Sequence, residues 1–258
     1  MSLVLGACGG APPTTTTSSE RPRVDAAVAP LAAPRAAAAT RPAPKVAAKP
    51  ARRAVDCKKL KCIALTYDDG PSPRTTPKLI KLLKKYKAKA TFFQLGRLAR
   101  RHPKLVRKIH KIGSEVANHS WDHDSLDRKS VKGAYQDLKR ASAAIERSCG
   151  CRVRLMRPPY GATDRGVDKA AKKLGVAEIL WDVDTLDWSS RDARKIKRKV
   201  LRGAGRNRIV LMHDIHRSTI AAQRDIIKGL QKRGYTLVTV SELLGKPKAG
   251  KRYPKSWR

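Results

Sequence analysis

The chain has 258 residues, 41% of them hydrophobic, which is enough for a packed core and excludes a wholly disordered polypeptide. Its 58 Lys and Arg stand against 21 Asp and Glu, a formal charge of +37 that draws it to polyanions without choosing among nucleic acid, anionic lipid and acidic wall polymers. No stretch offers the ~20 apolar residues of a membrane-spanning helix, and no nucleic-acid recognition motif is present, so neither a span nor a nucleic-acid partner is expected.

The first ten residues, MSLVLGACGG, read as a signal remnant. Leu5-Gly6-Ala7-Cys8 resembles a bacterial lipobox, which would place a lipid anchor on Cys8 and the protein at the cell surface or outside the cell. Residues 11–56 are rich in Ala, Pro and Thr, with Thr14–Thr17 and Ala36–Ala39 as runs, and read as a disordered tether. The arm is not where the charge sits: residues 57–258 keep 50 basic against 18 acidic side chains.

Four cysteines remain beyond Cys8, namely Cys57, Cys62, Cys149 and Cys151, and an even number in an exported domain predicts disulfides. The local Cys57–Cys62 pairing is favoured. A Cys149–Cys151 bridge across one glycine is tight, which leaves cross-pairing open. A zinc cluster is disfavoured, because neither CxxC spacing nor a nearby His accompanies the pairs.

From residue 60, short apolar runs alternate with amphipathic stretches. Strands are predicted at Cys62–Tyr67, Ala90–Gln94, Glu115–Asn118, Leu155–Arg157, Glu178–Asp182, Ile209–His213 and Thr236–Val240. Helices are predicted at Pro77–Tyr86, Pro103–Lys111, Ser130–Arg147, Gly166–Leu174, Asp192–Leu201 and Ile220–Arg233. Such alternation argues for an α/β fold in which about seven parallel strands form a barrel or a strongly curved sheet.

In folds of that kind chemistry gathers where strands end. Here the strand ends deliver Asp68-Asp69-Gly70-Pro71, His119 and His123, Arg157 to Tyr160, Asp184 to Trp188, and His213-Asp214. Two histidines four apart face one way if the segment turns helically. With a carboxylate they form a three-ligand set that leaves positions open for water, the mark of a catalytic metal site. Other polar residues carry less. His102, His110 and His216 read as surface or packing residues, Asp122 and Asp124 as loop caps, and Asp182 and Asp184 as turn residues. Trp121 reads equally as packing or as a substrate-stacking platform.

Together LTYDDGPS, NHSWDH, RPPYGA, DTLDW and LMH resemble, in order, the motifs of the polysaccharide deacetylases that share the NodB homology domain, carbohydrate esterase family four. The likeness covers residues 60 to 245, and Tyr67 departs from the usual Phe. It implies a distorted (β/α) barrel over residues 57–248 as a single catalytic domain, followed by a basic tail at 249–258. It also implies roles. Asp69, His119 and His123 would bind a divalent metal, Zn2+ first with Co2+, Ni2+ and Mn2+ as alternatives. Asp68 would be the general base, paired with Arg157. Tyr160 would present its backbone N–H to the oxyanion. His213 would protonate the departing amine with Asp187 orienting it, and Leu211 and Trp188 would line the acetyl pocket. The implied activity is N-deacetylation of an extracellular N-acetylglucosamine polymer, peptidoglycan or chitin-like, as substrate and partner. An acetylxylan esterase and a catalytically silent wall-binding protein are the alternatives.

Overall fold

The computed structural model describes residues 55–254; the lipobox-like start with Cys8, the tether up to residue 54 and the last four residues of the basic tail lie outside the described residues. The first strand, β1 (Cys62–Gly70), is the apolar run CIALTYDDG, and every residue but Asp69 is buried. Burial on both faces is what a central parallel strand requires. The other strands are β2 (Thr91–Gln94), β3 (Glu115–Asn118), β4 (Leu155–Met156), β5 (Ala177–Ile179), β6 (Val183–Asp184), β7 (Arg208–His213), β8 (Thr236–Val238) and β9 (Arg252–Tyr253). All pair in parallel in the order β6-β7-β1-β2-β3-β4-β5-β9, and β8 lies beside the start of β1.

Helices make the crossovers: α1 (Thr76–Lys85), α2 (Gly96–Arg101), α3 (Pro103–Lys111), α4 (Val131–Cys149), α5 (Arg165–Leu174), α6 (Asp187–Ser190), α7 (Ala193–Gly203), α8 (Arg217–Lys232) and α9 (Val240–Leu244). Their ends follow local chemistry. Ser130 caps α4 by accepting from the Gly133 N–H at 3.1 Å, and Asp164 caps α5 by accepting from the Val167 N–H at 2.8 Å. Gly150 and Gly175, at φ 68° and 84°, end the same two helices in the left-handed conformation that costs glycine nothing. On α4 the buried stripe includes Ala134, Leu138, Ala141 and Ile145, and truncating Leu138 to Ala would cost about 2–5 kcal/mol.

The sheet sorts its side chains by the two-residue period of a strand. Ile63, Leu65 and Tyr67 face the helices with Phe92, Val116, Met156, Val210 and Met212. The alternate positions face inward, where Cys62, Ala64, Phe93, Ala117, Leu155, Ala177 and Ile209 fill the barrel floor. Continued along each strand, the inward set arrives at Thr66, Asp68, His119, Arg157, Leu211 and His213, so the pleat itself aims the candidate residues at one point above that floor.

The structure differs from the sequence reading in four places. The expected strand Glu178–Asp182 is two short strands, β5 and β6, separated by Leu180–Asp182. β5 bonds to β4 while β6 bonds to β7, so this segment carries the ring from one edge of the sheet to the other. Regular pairing lapses there, and the Arg157 guanidinium replaces it by donating to Ile179 O at 2.9 Å and Leu180 O at 2.9 Å. Arg252–Tyr253, expected as part of a basic tail, instead pairs with β5 and ties Asp168 of α5 through both carboxylate oxygens, at 2.8 and 2.9 Å. The expected last strand stops at Val238, where Thr239 and Glu242 form a reciprocal cap that starts α9. Short α2 and α6 were not expected, since one or two turns give no readable period. The disulfides resolve to Cys57–Cys62 and Cys149–Cys151, with Cα separations of 5.5 and 5.2 Å. No helix among the described residues is long and apolar enough to cross a membrane.

Candidate active site

At the carboxyl end of the strands a cavity of about 520 Å3 is lined by Asp68, Asp69, His119, His123, Pro158, Tyr160, Trp181, Asp184, Trp188, Leu211 and His213. Its size is that of a small-ligand pocket. Eight of the ten residues singled out from the sequence form its wall, and Arg157 and Asp187 lie directly behind it.

His119 and His123 come together, but not on a helix. The segment after β3 is an irregular loop that side chains hold in place. Asn118 Oδ1 accepts from the Ser120 N–H at 2.8 Å, Asp137 from the Trp121 N–H at 2.7 Å and Ser120 Oγ from the His123 N–H at 2.9 Å. Ser120 and His123 sit at positive φ, 66° and 73°, as do Asp69 at 69° and Tyr160 at 61°. L-residues adopt that region at a cost, and such residues cluster where a fold must aim side chains. Here it turns both His Nε2 atoms to one carboxylate oxygen: His119 stands 3.4 Å and His123 3.3 Å from Asp69 Oδ1.

Those three residues fit a divalent metal on their own chemistry. The donor atoms lie within 4.8 Å of one another, and buried Asp69 Oδ1 has no hydrogen-bond partner. His119 Nδ1 is 2.7 Å from Arg157 O, which fixes the tautomer that leaves Nε2 to coordinate. Burial works to raise the Asp69 pKa, but the three imidazoles His119, His213 and His123 together hold the carboxyl below its ordinary value. Burial likewise depresses His123, aided by His119, and so favours the neutral, ligating form.

Asp68 is inside the barrel next to this trio. Its Oδ1 accepts from Arg157 Nη1 at 2.8 Å, and its Oδ2 lies 3.7 Å from His119 Nε2. Arg157 is fully buried, with further bonds to Thr66 Oγ1 at 2.8 Å and the two carbonyls at the β5–β6 seam, and its guanidinium lies 4.2 Å from the Phe93 ring centroid. A buried guanidinium with that many acceptors is a fixed strut, and it gives Asp68 one orientation.

Across the pocket, His213 ends β7. Its Nδ1 is 2.8 Å from Asp187 Oδ1, and its backbone N–H donates to Asp187 Oδ2 at 2.8 Å. Asp187 is fully buried at the start of α6 and also accepts from Thr219 Oγ1 at 2.5 Å. Burial alone would push the His213 imidazole down, yet the bonded Asp187, with Asp68 and Asp69 beyond it, lifts its pKa to about 9. Asp187 is correspondingly lowered, the His213 interaction outweighing burial. A protonated imidazole thus faces Asp68 and Asp69 across one cavity.

Several residues were not legible in the sequence. His216, expected at the surface or in packing, is buried with its ring centroid 5.7 Å from that of His213, and Arg191 Nη1 lies 2.6 Å from its Nδ1. Asp214, left without a role, is fully buried under the metal-ligand turn. It is bonded to the Thr76 hydroxyl, and burial pushes its carboxyl up to about 7. A Cβ at Gly70 would meet its Oδ2 at 2.8 Å and its Cγ at 2.9 Å, so the turn carrying Asp69 accepts no side chain there. Trp181 lines the pocket without a signal of its own, whereas Pro158 and Asp184, which also line it, belong to the strand-end motifs RPPYGA and DTLDW. Trp121 is packing: it is buried against Ala141 and Ala144, with the Arg140 guanidinium 3.7 Å from its ring centroid. The Tyr67 hydroxyl points away from the pocket to Gln223 Oε1 at 2.6 Å, which accommodates the departure from Phe.

With this geometry in hand, residues 56–179 match the sequence profile of the polysaccharide deacetylases. The peptidoglycan-N-acetylglucosamine deacetylase of Bacillus cereus is 38% identical over 189 residues, covering 71% of this chain and 88% of that protein. The chain belongs to the polysaccharide deacetylase family. The peptidoglycan-N-acetylmuramic acid deacetylase PdaC of Bacillus subtilis is 44% identical over 183 residues, covering 71% of this chain and 38% of that protein. The chain therefore spans about two fifths of the length of the first curated relatives it matches. Among solved structures, a deacetylase with bound substrate superposes with a TM-score of 0.74 at 37% identity, covering 78% of this chain and all of that one. The family's curled parallel sheet with flanking helices is the fold described above.

Proposed function

We propose that this polysaccharide deacetylase removes N-acetyl groups from a cell-wall polymer of the N-acetylglucosamine type. The single observation that carries the reading is the pairing of two opposed proton-handling groups over a metal-ligand set. Asp68 is fixed by Arg157 on one side, and His213 is held protonated by Asp187 on the other.

Asp69, His119 and His123 would hold the divalent metal. When bound, that ion supplies Lewis acidity to the amide carbonyl and makes water a nucleophile near neutral pH. The protein's own groups do the rest. Asp68 takes the proton as the water oxygen adds to the carbonyl carbon. The Tyr160 N–H stabilises the charge gathered on the former carbonyl oxygen, an interaction whose loss typically costs about 2.7–4 kcal/mol. As the C–N bond breaks, His213 gives its proton to nitrogen, so acetate and a free amino sugar leave together. Leu211 and Trp188 supply an apolar wall for the acetyl methyl. An acid with a pKa near 9 suits an amide, whose amine leaves only when protonated, better than an ester, and this favours N- over O-deacetylation.

Both relatives named above are peptidoglycan deacetylases, which supports a wall glycan as substrate. Two disulfides support an oxidising compartment, and the lipobox-like Leu5–Cys8 supports a lipid-anchored, surface location. The test is acetate release by the full chain from N-acetylglucosamine oligomers, peptidoglycan and acetylated xylan, with and without chelator. Chelator-sensitive release from the amino sugars supports the reading. Release from xylan alone makes the protein an esterase, and no release from any of the three with Zn2+, Co2+, Ni2+ or Mn2+ restored makes it a binding protein.

A further inference from the structure

Four helices that are distant in sequence lie side by side: α7 packs on α8, α8 on α1 and α1 on α3. Each buries an apolar stripe, such as Ile196 and Val200 on α7 or Leu79 and Leu83 on α1, and turns its other faces outward. Together they carry eighteen Lys and Arg against one acidic residue, Asp225. Seventeen of the eighteen are exposed, and Asp225 is already shared between Lys197 at 3.4 Å and Arg224 at 3.9 Å.

Net charge alone does not produce this. Helices α4 and α5, which continue the same wall beyond α3, hold eight basic and three acidic residues. Nearby acids there pair locally, as Asp124 and Asp137 do with Lys129 at 2.9 and 2.6 Å. Like charges gathered on adjacent helices repel within a Debye length of about 8 Å, which lowers stability rather than raising it. An external counter-charge would relieve that repulsion.

The chemistry of the layer narrows the partner. Twelve of the eighteen are Lys, compact point charges without the planar fork that Arg offers to a fixed bidentate acceptor. On α7, Lys195, Arg198 and Arg202 recur once per turn, about 5.4 Å along the axis, which suits a chain bearing one charge per repeat. The four helices contain no Phe, Tyr or Trp, and the aromatic at the end of α1, Tyr86, is packed against the core, so the layer offers no series of stacking platforms of the kind single-stranded nucleic acid uses. One edge reaches the pocket: between α6 and α7, Arg191 Nε donates to Trp188 O at 2.6 Å.

We propose that the α7–α8–α1–α3 layer is a docking surface for a linear phosphodiester polymer without bases, of the kind that interleaves a wall glycan, holding the protein against its matrix while leaving the pocket open. The surface is distinct from the pocket, and binding is read without turnover, so its test and that of the reaction fail separately.

The experiment is fluorescence anisotropy of labelled poly(glycerol phosphate) with the full chain from about 50 to 300 mM salt. The binding constant is expected to fall by at least about tenfold over that range. The triple variant Lys195→Glu, Lys199→Glu, Arg202→Glu is expected to lose at least about tenfold in affinity at low salt. A control of equal charge change on the α5 side, Lys132→Glu, Lys139→Glu, Lys169→Glu, should lose less than about threefold, and both should keep the wild-type rate on a neutral N-acetylglucosamine hexamer. Equal losses in the two triples would reduce the effect to net charge and overturn the proposal. So would tighter binding of single-stranded DNA or polyglutamate of matched charge. Should the α7 variant fail to fold, lysine acylation of the wild-type protein decides: polymer should shield Lys81 and Lys195 but not Lys132, and uniform shielding refutes the surface.

Discussion

Asp187→Asn tests the acid side of the site most directly. The substitution keeps the shape and one acceptor oxygen but removes the charge that faces His213 Nδ1 at 2.8 Å. His213 is lifted from its ordinary 6.5 to about 9 against the pull of burial, with Asp187 the largest lifting influence. Without it only Asp68 and Asp69 remain to oppose burial, so the imidazole should fall toward its ordinary value, each pKa unit lost being worth about 1.36 kcal/mol. At pH 7.5 the protonated fraction would drop from nearly all molecules toward about one in ten, so N-deacetylation should fall about tenfold there and recover partly as pH is lowered. The same linkage acts on stability. A raised His contributes its full bonus below pH 6.5 and loses it as pH rises through about 9, so the variant should lose ~2–3 kcal/mol at pH 6 and progressively less toward pH 9. Two assays read this: an NMR titration of the His213 ring in the metal-free protein, and the alkaline limb of the acetate-release profile. A ring that still titrates near 9 in the variant, or an alkaline limb that does not move, would refute the account of Asp187.

Asp69→Ala and His123→Ala should each lose metal and turnover together, measured by metal content after dialysis and by acetate release; full turnover without retained metal would remove these residues from the ligand set. Asp68→Asn should retain the metal while slowing the reaction by about 100-fold or more, the scale of a positioned base, and an unchanged rate would exclude it from that role. Glu178 is raised to about 7, chiefly by burial and then by neighbouring Asp168, against the bond that Thr163 Oγ1 donates at 2.6 Å. A raised carboxyl stabilises the fold below pH 4.5 and loses that contribution as pH rises through about 7, so Glu178→Gln should gain ~1–2 kcal/mol at pH 8 and flatten the pH dependence of urea unfolding between pH 5 and 8. A slope unchanged from wild type would show that other groups set it.

Much of this protein was legible before any coordinates. Strand and helix types followed from period alone: LTYDDGPS could only be a buried strand running into a turn, and the amphipathic stripes of α1, α3, α4, α5, α7 and α8 fixed which side each would bury. The candidate site was legible in two ways: reactive residue types stand at strand ends, a signal that needs no knowledge of distance, and the resemblance of five ordered motifs to the family implied the individual roles. What failed was whatever depended on a partner far along the chain. The two-residue strand β9 gains its pairing only from β5, and at the break between β5 and β6 the carbonyls of Ile179 and Leu180 find their donor in Arg157, more than twenty residues away. His119 and His123 converge through left-handed turns fixed by Asn118, Ser120 and Asp137, not through the helical spacing that their numbering suggests. His216, Asp214 and the shared basic wall of α7, α8, α1 and α3 carry no motif, because each takes its meaning from neighbours that the barrel brings together. Sequence by itself determined the periods, the caps and the reactive groups, all of which act over a few residues. Curling of the sheet decided which groups meet, how deeply each is buried and therefore which proton each holds, since burial and charge pairing are properties of space rather than of order along the chain.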